Sequence, residues 1–363
     1  MYNSTIFIVQ FVRHIAPIRF QVHRAAQGHV LNRLSGRELA LNSIGWSMPV
    51  GLSKTIWTNA SEFFRVNSPD HPVMFFSPDV LQARAHEFKS GFPGLVTYAV
   101  KANPDEAVIS NLVAAGIHAF DVASPNEMAL IRQLAPNAVM HYNNPVRLPS
   151  EIAAAVGHGV TSYSVDSHSE LDKLAQGVNP AGIEIAVRFK LPVAGAAYDF
   201  GAKFGAMPAK AVELLRRVAT LGFQPSLTFH PGTQCTDAGA WVTYIHAAGD
   251  IVTQAGVGVV RLNVGGGFPS HRLSSQAPDL GSIFRAIKAA ALDAFGQDHP
   301  ALICEPGRAM VAESFALATR VKAIRDGEHV FLNDGIYGGL AEMPLMGVTQ
   351  RIDVLSPDGH RRH

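Results

Sequence analysis

The 363-residue chain has two cysteines, Cys235 and Cys304. That is too few for a disulfide framework and points to a reducing, cytoplasmic setting. It also lacks any run of about 18 apolar residues, the length a membrane-crossing helix needs. Charge is sparse, at 16% Asp, Glu, Lys and Arg with a net of +1. A chain so nearly neutral carries no electrostatic footprint for nucleic acid, and small near-neutral ligands fit it better. No internal repeat, low-complexity tract or long linker interrupts it, and no metal site is assigned.

What is present is a globular composition, 47% hydrophobic, at a length that accommodates one large barrel-type domain and a lesser companion. The first 47 residues differ from the rest. They hold Arg13, Arg19, Arg24, Arg33 and Arg37 against the single acid Glu38, without clear periodicity. Either an organelle transit peptide or a start placed upstream of an initiator at Met48 accounts for them. Residues 1–47 are therefore read as an appended segment, disordered or mis-started, and left out of the fold.

From about residue 95 to 307, short β-rich runs alternate with helical stretches, the pattern of parallel strands joined by crossover helices. Eight runs are counted: VTYAVKA, AFDVAS, AVMHYNN, SYSVDS, IEIAVRF, PSLTFHPG, RLNVGGG and ALICEPG. Eight strands with eight crossovers predict an α/β fold, a (β/α)8 TIM-type barrel over residues 76–310. Alanine- and leucine-rich helices are predicted at 104–115, 124–134, 208–221 and 280–295. Lys101, Asp121, Asn143, Asp166, Arg188, His230, Gly265 and Glu305 fall at the C-terminal strand ends, the face on which such barrels build their sites. Residues 48–75 and 311–363 contain further strand-like runs (PVMFF, FALATRVKAI, HVFLND, RIDVL), which predict a second β-rich domain made from both termini and incomplete here.

Lys101, at the inner end of an apolar strand, is read as a lysine whose acidity desolvation increases, ready to form a Schiff base. By itself it is equally an exposed lysine at a strand end. His230 in TFHPGTQ follows a strand, where its ring could stack on a flat ligand or serve as a hydrogen-bonded loop residue. Gly265, Gly266 and Gly267 offer unhindered backbone N–H groups after the seventh strand, where barrels hold phosphate. Glu305 and Arg308 in CEPGR place a carboxylate three residues before a guanidinium. That pair suits the same phosphate or a surface ion pair at a turn.

AVKAN, FDVAS, VRF, AKFG, FHPGTQ, NVGGGFP, CEPGR and NDGIYG occur in this order over residues 72–345, and the set resembles the pyridoxal 5'-phosphate (PLP) dependent, fold-type III decarboxylases of ornithine, arginine and diaminopimelate. NDGIYG and the following GGLAE are similar to bacterial ornithine decarboxylases. The resemblance implies Lys101, His230 and Glu305 as the catalytic set. Lys101 would bear the cofactor, Glu305 pair with its ring nitrogen and His230 stack on its ring. Gly265, Gly266, Gly267, Thr233, Arg308 and Tyr337 would hold the phosphate, and Asp121, Glu127 and Arg188 would tune the site. It further implies decarboxylation of ornithine to putrescine, a small amino-acid substrate and a homodimer. Alternatives are lysine, diaminopimelate or carboxynorspermidine as substrate, or a catalytically inactive homologue acting through partners.

Two stretches depart from the family's pattern. After NDGIYG the family's substrate-gripping aspartate is replaced by AEMPLMGV, where Glu342 is the candidate to hold the distal amine. A GPTCDS-like motif, whose cysteine comes from the partner subunit, is missing. The chain thus reads as a C-terminally truncated member with a weakened dimer.

Overall fold

In a computed structural model of the chain the described residues are 6–9, 20–23, 56–57, 60–191, 204–272, 277–346, 351–356 and 361–362. They fall into two units, Pro78–Glu313 and one built from Met1–Ser77 with Ser314–His363.

The first unit is a parallel barrel whose strand segments are Leu95–Val96, Tyr98–Ala99, Ala119–Val122, Val139–Tyr142, Ser162–Val165, Glu184–Arg188, Gln224–Thr228, Arg261–Asn263 and Ala301–Cys304. Nine segments make eight strands, because the first strand divides at Thr97. Leu95–Val96 pairs with the eighth strand and Tyr98–Ala99 with the second, which closes the ring. Thr97 bridges the change of partner, its N–H and hydroxyl both donating to Cys304 O at 2.9 and 3.0 Å. All eight predicted strands are present, each shorter than its apolar run because the last residues turn out of the ladder to form the loops.

The crossover helices start where short polar side chains can take up the free N–H groups of a first turn. Ser124 accepts from Glu127 N and Ser167 from Glu170 N. Asp105, Asp237 and Asp279 cap three others, and proline opens the helices at Pro125, Pro149 and Pro208. Between barrel and helices lies an aromatic core. Trp241 stacks on Phe268 with centroids 5.0 Å apart, and Phe229 stacks on Tyr244 at 4.7 Å. Phe268 directly follows Gly267, so this stacking also seats the glycine loop.

Three buried residues on the third strand and its loop are polar, His141, Asn143 and Arg147. Arg147 donates to the carbonyls of Tyr142 and Ser164, with its guanidinium 4.7 Å from the Tyr142 centroid. It thereby ties the third strand to the fourth. His141 is buried, and burial pushes its acidity constant down to about 4. A histidine that must stay neutral when folded contributes stability above its unfolded value of about 6.5, and that stability is lost as pH falls through the folded value. Thermal melting should therefore drop between pH 6.5 and 4, and His141→Asn should reduce that drop.

The second unit is an antiparallel sheet in the order Arg361–Arg362, Ile352–Leu355, Ile6–Val9, Phe315–Arg325, Val73–Phe76, Phe20–His23, Ile56–Trp57, with His329–Leu332 paired to Phe315–Arg325. Phe64, Val73, Phe75, Ala316, Ala318 and Leu355 form its core. The strand runs predicted from both termini are found here. The exclusion of residues 1–47 does not hold for Ile6–Val9 and Phe20–His23, which are strands of this sheet. Four-residue β-branched and aromatic runs suffice for a strand and are too short for a period to stand out. Among the described residues, no helix is long and apolar enough to cross a membrane.

Candidate active site

Lys101 lies just beyond the first strand, on the single 3-10 turn Val100–Ala102, and its side chain is 64% exposed at the C-terminal mouth of the barrel. Its Nζ stands 3.3 Å from Oδ2 of Asp121, which is buried at the end of the second strand. This corrects two expectations. The lysine is on a turn, not within a strand, because the backbone after Ala99 leaves the ladder. Its pKa is raised and its acidity weakened, because the Asp121 carboxylate favours the ammonium more than burial disfavours it.

Glu305, buried at the end of the eighth strand, is the mouth's second acid. Burial, then the neighbouring Asp121 charge, pushes its carboxyl up to about 7, against the favourable fields of Lys101 and Arg188. Both hydrogen bonds described at this carboxylate fall on Oε1, from Asn143 Nδ2 at 2.5 Å and from Asn263 Nδ2. The sequence reading placed Asn143 at a strand end without a role and passed over Asn263. Their signal was the period of two, which puts Asn263 on the same strand face as Gly265.

The loop after the seventh strand is shaped by glycine. Gly265 and Gly267 have φ of +70° and +83°, in the left-handed region that L side chains avoid. A Cβ on Gly265 would lie 2.2 Å from Phe229 O, and one on Gly267 1.9 Å from Gly232 O. A Cβ on Gly266 would meet Glu305 O at 2.6 Å. The strand seven loop therefore packs directly on the loops after strands six and eight. Gly267→Ala should cost at least the roughly 1–2 kcal/mol of an L-residue held left-handed. If that cost falls on the liganded loop, phosphate-ligand affinity drops about tenfold, which an equilibrium titration with PLP measures.

His230 presents its ring to this loop, its Cε1 3.3 Å and its Nε2 3.6 Å from where side chains on Gly267 and Gly266 would begin. Its Nδ1 accepts from Gly232 N–H at 3.2 Å. Burial, with Arg188 and Lys101 nearby, lowers its acidity constant to about 3, so the ring is neutral. Arg188 ends the fifth strand with its guanidinium 5.2 Å from the Phe204 ring, and Thr233 occupies the turn after Gly232. Arg308 opens the short helix Arg308–Val311 behind Glu305.

Glu127 serves the local fold: its Oε2 accepts from Ala123 N–H at 2.8 Å at the start of the second crossover helix, Pro125–Leu134. Burial raises its acidity constant, partly offset by that bond. Tyr337 and Glu342 belong to the other unit, and Tyr337 is fully exposed. Ala202 and Lys203 of AKFG lie outside the described residues.

A lysine amine, a buried carboxyl, a neutral imidazole and a glycine cradle thus share one barrel face. The family described as pyridoxal-dependent decarboxylase, pyridoxal binding domain, matches residues 79–312. The chain is 33% identical over 251 residues to a lysine/ornithine decarboxylase of Selenomonas ruminantium, covering 67% of this chain. It is 28% identical over 311 residues to the ornithine decarboxylase of Panagrellus redivivus, covering 79% of this chain. The chain spans 63% of the first relative's length and 70% of the second's. A solved structure of SrLDC in complex with PLP and cadaverine superposes with a TM-score of 0.68 at 28% identity, covering 80% of this chain and 74% of that one.

Proposed function

The chain belongs to the pyridoxal-dependent decarboxylases of basic amino acids, and from that premise we propose that it decarboxylates ornithine to putrescine. The observation that carries the reading is the joint placement of Lys101, Glu305 and the Gly265–Gly267 loop at one barrel mouth. The residues present fit the cofactor. The loop is bare of side chains at Gly265, Gly266 and Gly267, where a Cβ would collide with neighbouring backbone carbonyls, and a bare backbone is what lets N–H groups come close to a phosphate. An amine and a buried carboxyl stand at the same mouth.

Lys101 would hold the cofactor covalently, His230 lie against its ring, Glu305 Oε2 face its ring nitrogen, and the glycine loop, with Thr233 and Arg308, hold its phosphate. When bound, PLP supplies an electron-accepting ring that takes up the electron pair left by departing CO2.

The chain's own residues do the rest. Glu305, raised to about 7 by burial and the Asp121 charge despite Lys101 and Arg188, would keep a proton on the ring nitrogen. An ionised Glu305 and a protonated nitrogen satisfy each other in a site of low dielectric. His230 stays neutral and adds no charge to oppose that proton. Lys101 Nζ, poised against Asp121, holds a proton it can deliver to the substrate carbon. Asp121, buried beside it, keeps the amine aimed at the mouth. The homodimer belongs to the same proposal, as do Tyr337 as a phosphate contact and Glu342 as a contact for the distal amine.

The test is CO2 release by the PLP-loaded protein from ornithine, lysine, arginine and diaminopimelate. Ornithine should give the highest kcat/KM. Preference for lysine or diaminopimelate would replace the substrate and keep the chemistry, and release from none would refute catalysis by this chain.

A further inference from the structure

We propose that Asn263 is a positioning residue of this site, a single side-chain amide that fixes the Glu305 carboxylate and the glycine loop in register with one another. Its Nδ2 donates to Glu305 Oε1, and its Oδ1 accepts from Gly265 N–H at 2.9 Å. The side chain is buried, and the two bonds engage its two ends. One reaches the eighth strand, which faces the ring nitrogen, and the other reaches the first residue of the phosphate loop. The distance between these two places is the dimension a phosphorylated pyridine must match. The inference rests on reading the site as one for PLP.

Asn143 separates the two effects. It donates to the same Glu305 oxygen at 2.5 Å from the third strand, and none of its described hydrogen bonds goes to the glycine loop. Both amides favour the ionised carboxylate, so loss of either should make Glu305 hold its proton to higher pH. The other groups facing Glu305 are unchanged in such variants. They are Lys101 on the first turn, Asp121 on the second strand, Arg188 on the fifth, His230 across the glycine loop and Cys304 on its own strand.

In the complex one proton would lie between Glu305 and the ring nitrogen, so affinity depends on pH across the range in which Glu305 titrates in the free protein, and that part of the profile moves with Glu305.

The experiment is an equilibrium titration of the full chain with PLP and with pyridoxal, which lacks the phosphate, followed by protein fluorescence across pH. It compares wild type with Asn263→Ala, Asn143→Ala and Asn263→Asp. Asn263→Ala should move the Glu305-dependent step of the affinity profile to higher pH and shrink the advantage of PLP over pyridoxal roughly three- to tenfold, the worth of one hydrogen bond. Asn143→Ala should shift the pH profile and keep the phosphate advantage. Asn263→Asp keeps an acceptor for Gly265 N–H and loses the donor, so it should do the same. Should Asn263→Ala not fold, the other two variants carry the test. A uniform weakening at every pH, with the phosphate advantage unaltered in Asn263→Ala, would overturn the proposal. A wild-type chain that binds PLP no better than pyridoxal would overturn the site reading as well, and that result is visible before any variant is made.

Discussion

Replacing Lys101 by arginine should leave the fold and the charge of the barrel mouth in place and abolish covalent attachment of PLP, with decarboxylation falling by at least ~10²–10⁴, the range for loss of a proton-transferring group alone. Arginine is the informative substitute because of what surrounds the position. Asp121 and Glu305 face each other's fields, and Lys101 is the larger of two cations, with Arg188, that lower the pKa of Glu305. Alanine at 101 would remove that cation and leave two neighbouring carboxyls, so Glu305 would become more protonated and the loss would have two causes. A guanidinium keeps the charge beside Asp121 but cannot lose its proton in the working range. A loss of activity shared by Lys101→Arg and Lys101→Ala belongs to the amine itself. Kinetics of both variants, with circular dichroism to confirm the fold, checks this.

Glu305→Gln should lower kcat by roughly 10²–10³, the range for removing one electrostatic stabiliser of developing charge, while PLP still attaches to Lys101 and still occupies the glycine loop. The same substitution has a second expected effect, on the protein without cofactor. A carboxyl whose folded acidity constant is raised to about 7 contributes stability below its unfolded value near 4.5. That contribution is lost as pH rises through the folded value, because the ionised group is then buried without a sufficient partner. Glutamine never ionises. The melting temperature of the variant should therefore gain on wild type as pH goes from 4.5 to 7, opposite in sign to the His141 effect, and melts in that window measure the difference.

Much of this site was legible because barrel strands are short apolar runs that end in polar or glycine residues. A residue at a C-terminal strand end is on the active face whatever the packing around it. Asp121, Arg188, His230 and Glu305 were located that way. Lys101 was placed correctly in space and wrongly in its surroundings. A sequence shows that the strand before it is apolar, which argues for desolvation. It does not show that the backbone turns at Val100 and brings the amine against Asp121, twenty positions on. Asn263 was hidden for a related reason. An asparagine two residues before a glycine run resembles any turn former, and its bond to Glu305 depends on the curvature that brings the seventh and eighth strands together.

The limits of periodicity appear in the second unit. FALATRVKAI and PVMFF were visible as strands, whereas IFIV and FQVH are as short as strands come and sit among arginines and histidines. Glu127 shows the converse. The family resemblance made it a site residue, while its carboxylate is hydrogen-bonded to a backbone N–H at a helix start.

The most direct test of the central claim is borohydride reduction of the protein incubated with PLP, followed by mass mapping of its peptides. The account predicts one stable phosphopyridoxyl adduct, on the peptide that contains Lys101, absent from Lys101→Arg and reduced in Gly267→Ala. An adduct on another lysine, or none under conditions in which free PLP reduces completely, would contradict it.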